Sequence, residues 1–332
     1  MRAIVSGSDG PRLADRPEPA GQEGACIVRM RTSLVTPADA ASGRQDPSTI
    51  LGESGVGVVE RIIGGAASSA PAAQWIGKRV AIHPVVRCGR CDRCLAGLSS
   101  HCRERALLGR AGRDGCFAEK IALPLANLAL LPDALDDERA AFASLVAEAL
   151  EATKQIRLEG KGYITVLGDT VAALVTAQVM TRLNAAVRVI AHQQATLALA
   201  ERLGIKHRHA DEIGRRGDQD VVVDCVGTAE SLAFASMLVR ARGTVVLKSL
   251  PLTREPAAAD LSPIILGELT VQGSFHGPLP EAIALLAKRA IEVTALIERK
   301  CGPEHGAGST SGTGLALALP LRPATLLRFA AS

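Results

Sequence analysis

The chain has 332 residues, of which 47% are apolar and only 2% aromatic, and it carries a net charge of +4. That length exceeds what one hydrophobic core usually supports, so two domains are expected, and so few rings leave little to stack on bases. Lys and Arg are spread rather than bunched, no apolar run reaches a membrane span, and the N-terminus lacks the plan of a signal peptide; nucleic-acid and membrane partners are therefore not expected, and a reducing, cytoplasmic location is.

From Ile4 to about Leu130 the sequence predicts short strands broken by Gly and Pro: "ACIVRMRTSL", "GVGVVERII", "RVAIHPVV" and "CFAEKIALP". Inside this β-rich unit, "RCGRCDRCLAGLSSHCR" sets Cys88, Cys91, Cys94 and Cys102 on the pattern Cys-x2-Cys-x2-Cys-x7-Cys. Four thiolates so spaced can surround one Zn2+ tetrahedrally, and an all-sulfur shell leaves no open position, so such a metal is structural, one per chain. An iron–sulfur cluster, a disulfide pair and four free thiols are the other readings. A reducing compartment disfavours the disulfide, and nothing nearby points to electron transfer. Arg87, Arg90, Arg93, Arg103 and Lys78 either offset the thiolate charge or are ordinary surface charge. Cys26, Cys116, Cys225 and Cys301 sit in apolar contexts typical of unpaired buried thiols.

The stretch "DDERAAFASLVAEALEATKQI" has helical spacing with acidic residues in its first turn and reads as a connector helix. From Gly160, apolar strands alternate with helices: "YITVLG", a helix from Val171 to about Leu183, "VRVIAH", a helix "ATLALAERLG", "DVVVDCVG", a helix "ESLAFASMLVRA", then "GTVVLKSL" and "LTVQGSF". Uniformly apolar, β-branched strands alternating with helices predict a parallel sheet covered on both faces, the doubly wound α/β fold. After Phe275 come a helix "PEAIALLAKRA", a Gly/Ser/Thr-rich stretch "PEHGAGSTSGTG" expected to be a flexible loop, and an apolar segment "ATLLRFAA".

In "VLGDTVAALVTAQ" a strand turns into a helix, with Gly168 at the first position of a dinucleotide glycine fingerprint, Thr170 at the second and Ala173 at the third. A second glycine lets the pyrophosphate approach the backbone, and a Thr side chain intrudes on that space. Asp169, Val171 and, after a later strand, Val226 are the neighbouring candidates for cofactor contact. At the end of the next strand, Ala191 and His192 stand where an acidic residue would take the ribose 2′-hydroxyl. His192 either faces a 2′-phosphate or is simply an exposed strand-end histidine. NAD and NADP both remain open, with NADP slightly preferred.

Taken together, "LGESGVGVVE", the four-cysteine lobe, "GRDGCFAEKIALPLANLALLPD", the doubly wound unit and "RARGTVVLKS" resemble the medium-chain dehydrogenase/reductase superfamily, in its zinc-type alcohol and sorbitol dehydrogenase branch. The resemblance implies a GroES-like catalytic domain at 1–135 with its metal lobe at 87–103, a Rossmann-type cofactor domain at 136–275 that includes the connector helix, and a return to the catalytic domain at 276–332. It also implies hydride transfer between a nicotinamide cofactor and a small-molecule alcohol or carbonyl, in a cleft between the domains, and homodimers joined through the cofactor domains.

The sequence departs from that family at the catalytic zinc, whose ligands the family draws from a Cys-x-Thr-Asp-like segment, a Gly-His-Glu segment and the connector helix. Here "LVTPAD" places Thr36 at the Cys and keeps Asp39, and "GES" places Glu53 at the His and Ser54 at the Glu. In "AFASLVAEALEA", Ser144 falls at a Glu-type ligand and Glu148 at a Cys-type ligand. Glu53 and Glu148, with His83 as a third ligand, would form an oxygen-rich set better suited to Mg2+ or Mn2+ than to zinc. Without a metal, Thr36, Ser144 or His83 would have to donate a hydrogen bond to the developing alkoxide. Two functions follow: a zinc-independent oxidoreductase acting on a small alcohol, carbonyl or activated alkene, or a non-catalytic scaffold that binds a small ligand or protein partner. Thr170 separates them, since a hydroxyl thrust into the phosphate position favours the scaffold and one tucked away favours the enzyme.

Overall fold

The structure is a computed structural model that describes residues 1–7, 10–36, 39, 48–64, 73–110, 113–214, 217–250, 258–306 and 324–329. Six strands form one sheet in the spatial order Lys206–His209, Ala185–Ala191, Gly162–Leu167, Gln219–Asp224, Val239–Leu247 and Thr270–Gly273. Every neighbouring pair in it is parallel. Ile164, Val166, Val221, Val222 and Val223 of its two central strands are at most 1% exposed, which is what β-branched strands covered by helices on both faces require. Strand order reverses between Gly162–Leu167 and Gln219–Asp224, so a crevice opens at their carboxyl ends.

The second sheet has seven strands. Six run in the order Ile297–Cys301, Ala324–Arg328, Ala25–Val35, Gly55–Ile62, Arg79–Ile82 and Leu128–Leu130, and Lys120–Pro124 adds on to Ala25–Val35. Ala324–Arg328 pairs antiparallel with Ala25–Val35, Thr325 opposite Val35, which brings the C-terminal segment back to the first unit. The connector helix Ala143–Lys154 buries Val146, Ala149 and Ala152 in a core that runs from Leu34, Val56 and Ala81 of this sheet to Ile164 and Val223 of the other. That helix therefore fixes the two sheets about the crevice.

Several elements differ from their sequence-based expectation. The connector is two helices, Asp137–Ala140 and Ala143–Lys154, the first capped by the Asp136 carboxylate, which accepts from Arg139 N at 2.9 Å. The stretch "RVAIHPVV" is split at His83 and Pro84 into Arg79–Ile82 and Val85–Val86, proline having no N–H to give to a ladder. The helix after Val171 stops at Met180, and the helix that follows Thr228 stops at Leu238, where Val239 turns extended and begins the next strand. Lys206–His209 and Ile297–Cys301 are strands that the pattern did not announce. Of the stretch expected to be a flexible loop, Pro303–Gly306 is a helical turn, and the remainder lies outside the described residues. Among the described residues no helix is long and apolar enough to cross a membrane.

Candidate active-site cleft and cysteine lobe

A cavity of about 510 Å3 lies along the carboxyl ends of the parallel sheet. One wall is built of residues that follow its strands directly: Gly168 to Thr170, His192, Ala210 and Asp211, Cys225 and Val226, and Lys248. The facing wall carries Thr36, Glu53 and Arg110 from the β-rich unit and Leu145 and Glu148 from the connector helix, with Phe275 and His276 beyond the last parallel strand.

At the dinucleotide end, Gly168 has φ +136°, a backbone conformation that residues with a Cβ rarely adopt, so the turn favours glycine. The helix Val171–Met180 starts just after it, and its first return bond runs from Ala173 N to Thr170 O at 3.0 Å. The amides of Val171 and Ala172 precede that ladder, at the positive end of the helix dipole. Thr170 Oγ1 is buried and, among the described residues, has no hydrogen-bond partner, so the hydroxyl is tucked away rather than thrust into the channel. Asp169 is a clamp: its carboxylate accepts from His192 N at 3.0 Å and from Gln193 N at 2.7 Å, tying the turn to the end of the neighbouring strand. An acid thus stands at that strand end after all, supplied by a different loop. The His192 side chain is 70% exposed and meets the His209 ring edge-on at 6.1 Å. Val226 faces the cleft while its amide donates to Asp224 Oδ1 at 2.8 Å. A glycine turn at a helix N-terminus, with the obstructing hydroxyl withdrawn, fits a dinucleotide.

The other end of the cleft is built of ion pairs. Thr36 donates to Asp39 Oδ2 through both its amide (2.8 Å) and its hydroxyl (2.7 Å), and Glu53 N donates to Asp39 Oδ1 at 3.0 Å. Glu53 is paired with Arg110, each side chain only 16% exposed. The backbone sets that pair: Gly52 and Gly109 both have positive φ, and a Cβ on Gly109 would come within 2.8 Å of Gly52 N. The residues that follow these two touching glycines are Glu53 and Arg110. Burial and the neighbouring Glu53 push the Asp39 carboxyl up to about 7, against the Thr36 hydrogen bonds.

Across the cleft, Glu148 Oε2 accepts from Lys248 Nζ at 3.2 Å, and Glu148 Oε1 lies 3.4 Å from His276 Nδ1. The Lys248 and His276 side chains are 1% and 4% exposed. Burial opposes ionisation of Glu148, but the Lys248 ammonium and His276 outweigh it and hold the carboxyl at about 2.

Thr36, Glu53 and Glu148 therefore line one cleft, while Asp39 is buried behind Thr36. Ser144 is buried on the connector helix and does not line the cleft. His83 lines a separate cavity of about 550 Å3 and meets His276 edge-on at 5.9 Å; burial and His276 lower it to about 4. The ligand set of Glu53, Glu148 and His83 is not assembled: among the described residues, the four cysteines are the one group of metal-ligating side chains close enough to share an ion. The physical reason is that each carboxylate already has a cation of its own. Arg110 and His276 belong to no motif, and Lys248, though inside "RARGTVVLKS", was not singled out in it. A base after a glycine and a lysine ending an apolar strand were the signals for Arg110 and Lys248, neither of which names a partner, and His276 gave none.

In the lobe, the sulfurs of Cys88, Cys91, Cys94 and Cys102 all lie within 4.8 Å of one another, compatible with one tetrahedral ion. The short helix Asp92–Leu95 carries Cys94, and Gly89 and Gly97, both at positive φ, turn the chain on either side. Arg103 holds Asp92 in a two-pronged pair at 2.8 Å, and Arg90 reaches Glu104 at 3.4 Å. All eight cysteines are free thiols.

A doubly wound unit that shares its crevice with a β-rich unit bearing a cysteine lobe defines a two-domain scaffold, GroES-like plus Rossmann, of the oxidoreductase class. Comparison with known proteins carries this further: residues 22–133 match the alcohol dehydrogenase GroES-like domain, and residues 173–290 match the zinc-binding dehydrogenase family. The chain belongs to the zinc-type alcohol dehydrogenase-like family of medium-chain dehydrogenases/reductases. It is 26% identical over 236 residues to an uncharacterized zinc-type alcohol dehydrogenase-like protein of Haemophilus influenzae, covering 68% of each chain. It is 25% identical over 241 residues to sorbitol dehydrogenase of Bacillus subtilis, covering 67% of this chain and 66% of that one. A zinc-binding dehydrogenase from Sinorhizobium meliloti, solved with NADP, superposes with a TM-score of 0.83 at 25% identity over 98% of both chains. An Escherichia coli alcohol dehydrogenase solved with NADH does so at 0.85, with 22% identity over 99% of both.

Proposed function

We propose that the chain is a zinc-independent, NAD(P)-linked oxidoreductase acting on a small alcohol, carbonyl or activated alkene. The reading rests on one observation: the carboxylates at two of the family's catalytic-metal positions, Glu53 and Glu148, are each neutralised by a basic side chain of the protein, Arg110 and Lys248. A divalent ion would have to displace both cations from a poorly hydrated cleft. Gly168, Val171 and Ala172 would hold the pyrophosphate, and His192 would lie toward a 2′-phosphate, so NADP is taken before NAD. Bound there, the nicotinamide would supply or accept the hydride. Thr36, lining the cleft with its hydroxyl backed by Asp39, is a hydrogen-bond donor available to the substrate oxygen.

The four-cysteine lobe would hold one structural zinc per chain. Residues 1–135 and 276–332 are taken as the catalytic unit and 136–275 as the cofactor unit. A homodimer would form through the cofactor unit, where Thr270–Gly273 is an edge strand with Leu261, Ile265 and Leu266 exposed beside it. Free thiols throughout suit the cytoplasm.

The test is a fluorescence titration with NADPH and with NADH alongside elemental analysis. Saturable micromolar binding with one zinc per chain is the expected result. Two zincs per chain, or no binding at millimolar cofactor, would overturn the reading.

A further inference from the structure

Lys248 follows the strand Val239–Leu247 and lies 1% exposed in the wall of the cleft. An ammonium has three N–H donors, yet among the described residues Nζ makes one hydrogen bond, to Glu148 Oε2 at 3.2 Å. His276 Nδ1 stands 3.4 Å from the other oxygen of the same carboxylate, outside hydrogen-bond geometry, and among the described residues has no other partner. A buried cation and a buried imidazole left so incompletely satisfied cost stability unless something else completes them. His276 also lines the second cavity, of about 550 Å3, with His83, Ser100, His101, Glu151 and Lys154. Lys248, the two oxygens of Glu148 and His276 thus lie in a row from the cleft to a polar chamber behind it, and a small closing of the 3.4 Å step between Glu148 Oε1 and His276 Nδ1 would complete a proton path.

We propose that Lys248 is a catalytic residue whose Nζ–H donates the proton to the oxygen of an aldehyde or ketone substrate, with Glu148 and His276 positioning it and returning the proton from the second cavity. This rests on the oxidoreductase reading and deepens it by naming the substrate class and the acid. Gly168, Val171 and Ala172 would hold a dihydronicotinamide cofactor, which would supply the reducing hydride, with its electron pair, to the carbonyl carbon. The carbonyl π pair passes to oxygen, an O–H bond forms as an N–H bond of Lys248 breaks, and the lysine is left as a neutral amine beside Glu148. A proton from the second cavity, handed on by His276 and Glu148, restores the ammonium. An oxyanion developing beside a desolvated ammonium is stabilised far more than in water, and direct carbonyl reduction is the case in which the proton also ends on that oxygen, where reduction of an activated alkene delivers it to carbon. Glu148, held ionised, keeps the donor in place at neutral pH. The other titratable groups against this line are Cys225 and Asp224 beside Lys248, and His83 beside His276.

Lys248→Met alone strands a buried carboxylate, so the test uses the charge-neutral pair Glu148→Gln with Lys248→Met, and His276→Gln. NADPH affinity, measured by fluorescence, should stay within about twofold of wild type. Turnover of a panel of short aldehydes and ketones should fall roughly 100-fold or more in the double variant. His276→Gln should lower kcat with KM little changed and displace the pH–rate profile, which a merely structural histidine would not do. In unaltered protein carrying 15N-lysine, the Lys248 ammonium signal, assigned by its loss in the double variant, should shift when acetone is added, as read by NMR.

Turnover of the double variant within about threefold of wild type, or NADPH binding without reduction of any carbonyl, would overturn the assignment. So would a Lys248 ammonium signal that acetone leaves unmoved. Absence of NADPH binding would instead fall on the oxidoreductase reading, and the acetone-induced shift would still decide whether Lys248 meets carbonyl compounds.

Discussion

The cysteine lobe and the ion-paired end of the cleft both gather side chains able to hold a metal, and the chain treats them in opposite ways. In the lobe, four soft ligands converge within 4.8 Å, and the nearby arginines Arg103 and Arg90 reach Asp92 and Glu104. In the cleft, Glu53 and Glu148 are already matched by Arg110 and Lys248. Built-in cations can thus neutralise carboxylates that would otherwise call for an ion.

The contrast can be broken most forcefully at the lobe. Cys102→Ser should take zinc from about one per chain to near zero and abolish hydrogen-exchange protection over 87–103, because such sites fold with their metal. Unchanged zinc content would end the comparison. Next in size, Lys248→Met leaves Glu148 buried without its main partner and should cost about 3–5 kcal/mol in chemical denaturation. The double variant with Glu148→Gln should recover most of that loss, and a double-mutant cycle measures the coupling. Arg110→Met should cost less, about 2 kcal/mol, since the backbone amide of Glu53 and the rest of the Asp39 cluster stay in place.

The smallest effects are in pH dependence. Asp39 is raised to about 7 in the folded protein from an ordinary 3.8, so the native state holds its proton more tightly than the unfolded chain does. Its contribution is present at low pH and is lost as pH rises through about 7. His83, lowered to about 4 from 6.5, acts in the opposite sense: its contribution is present above 6.5 and is lost as pH falls toward 4. Denaturation midpoints between pH 4 and 8 should therefore tilt toward higher pH in Asp39→Asn and toward lower pH in His83→Gln.

Much of this molecule was legible in its residues. Alternating β-branched strands gave the parallel sheet, the cysteine spacing gave the lobe, and Thr36 and Glu53 were legible as cleft residues, whereas Ser144 proved to lie off the cleft. Lys248 was not legible as a site residue, because nothing in "GTVVLK" says that its ammonium is buried against a carboxylate 100 positions earlier in the chain. His276 and Arg110 were hidden for the same reason: their partners are set by tertiary approach. The helix after Thr228 was read too long because alanine and leucine continue the helical composition up to Val239, where pairing with the Gln219–Asp224 strand takes over. The strand Ile297–Cys301 was missed because three consecutive charged residues, Glu298 to Lys300, mask any alternation.

Gly52 and Gly109 touch, and that contact couples two positions far apart in the sequence. With the backbones that close, residues 53 and 110 are held as neighbours, and their side chains pair. Replacing Glu53 alone would leave the Arg110 guanidinium, only 16% exposed, without its carboxylate. The two positions can therefore be exchanged safely only together, so the contact between two glycines makes a distant pair of residues behave as one unit of variation.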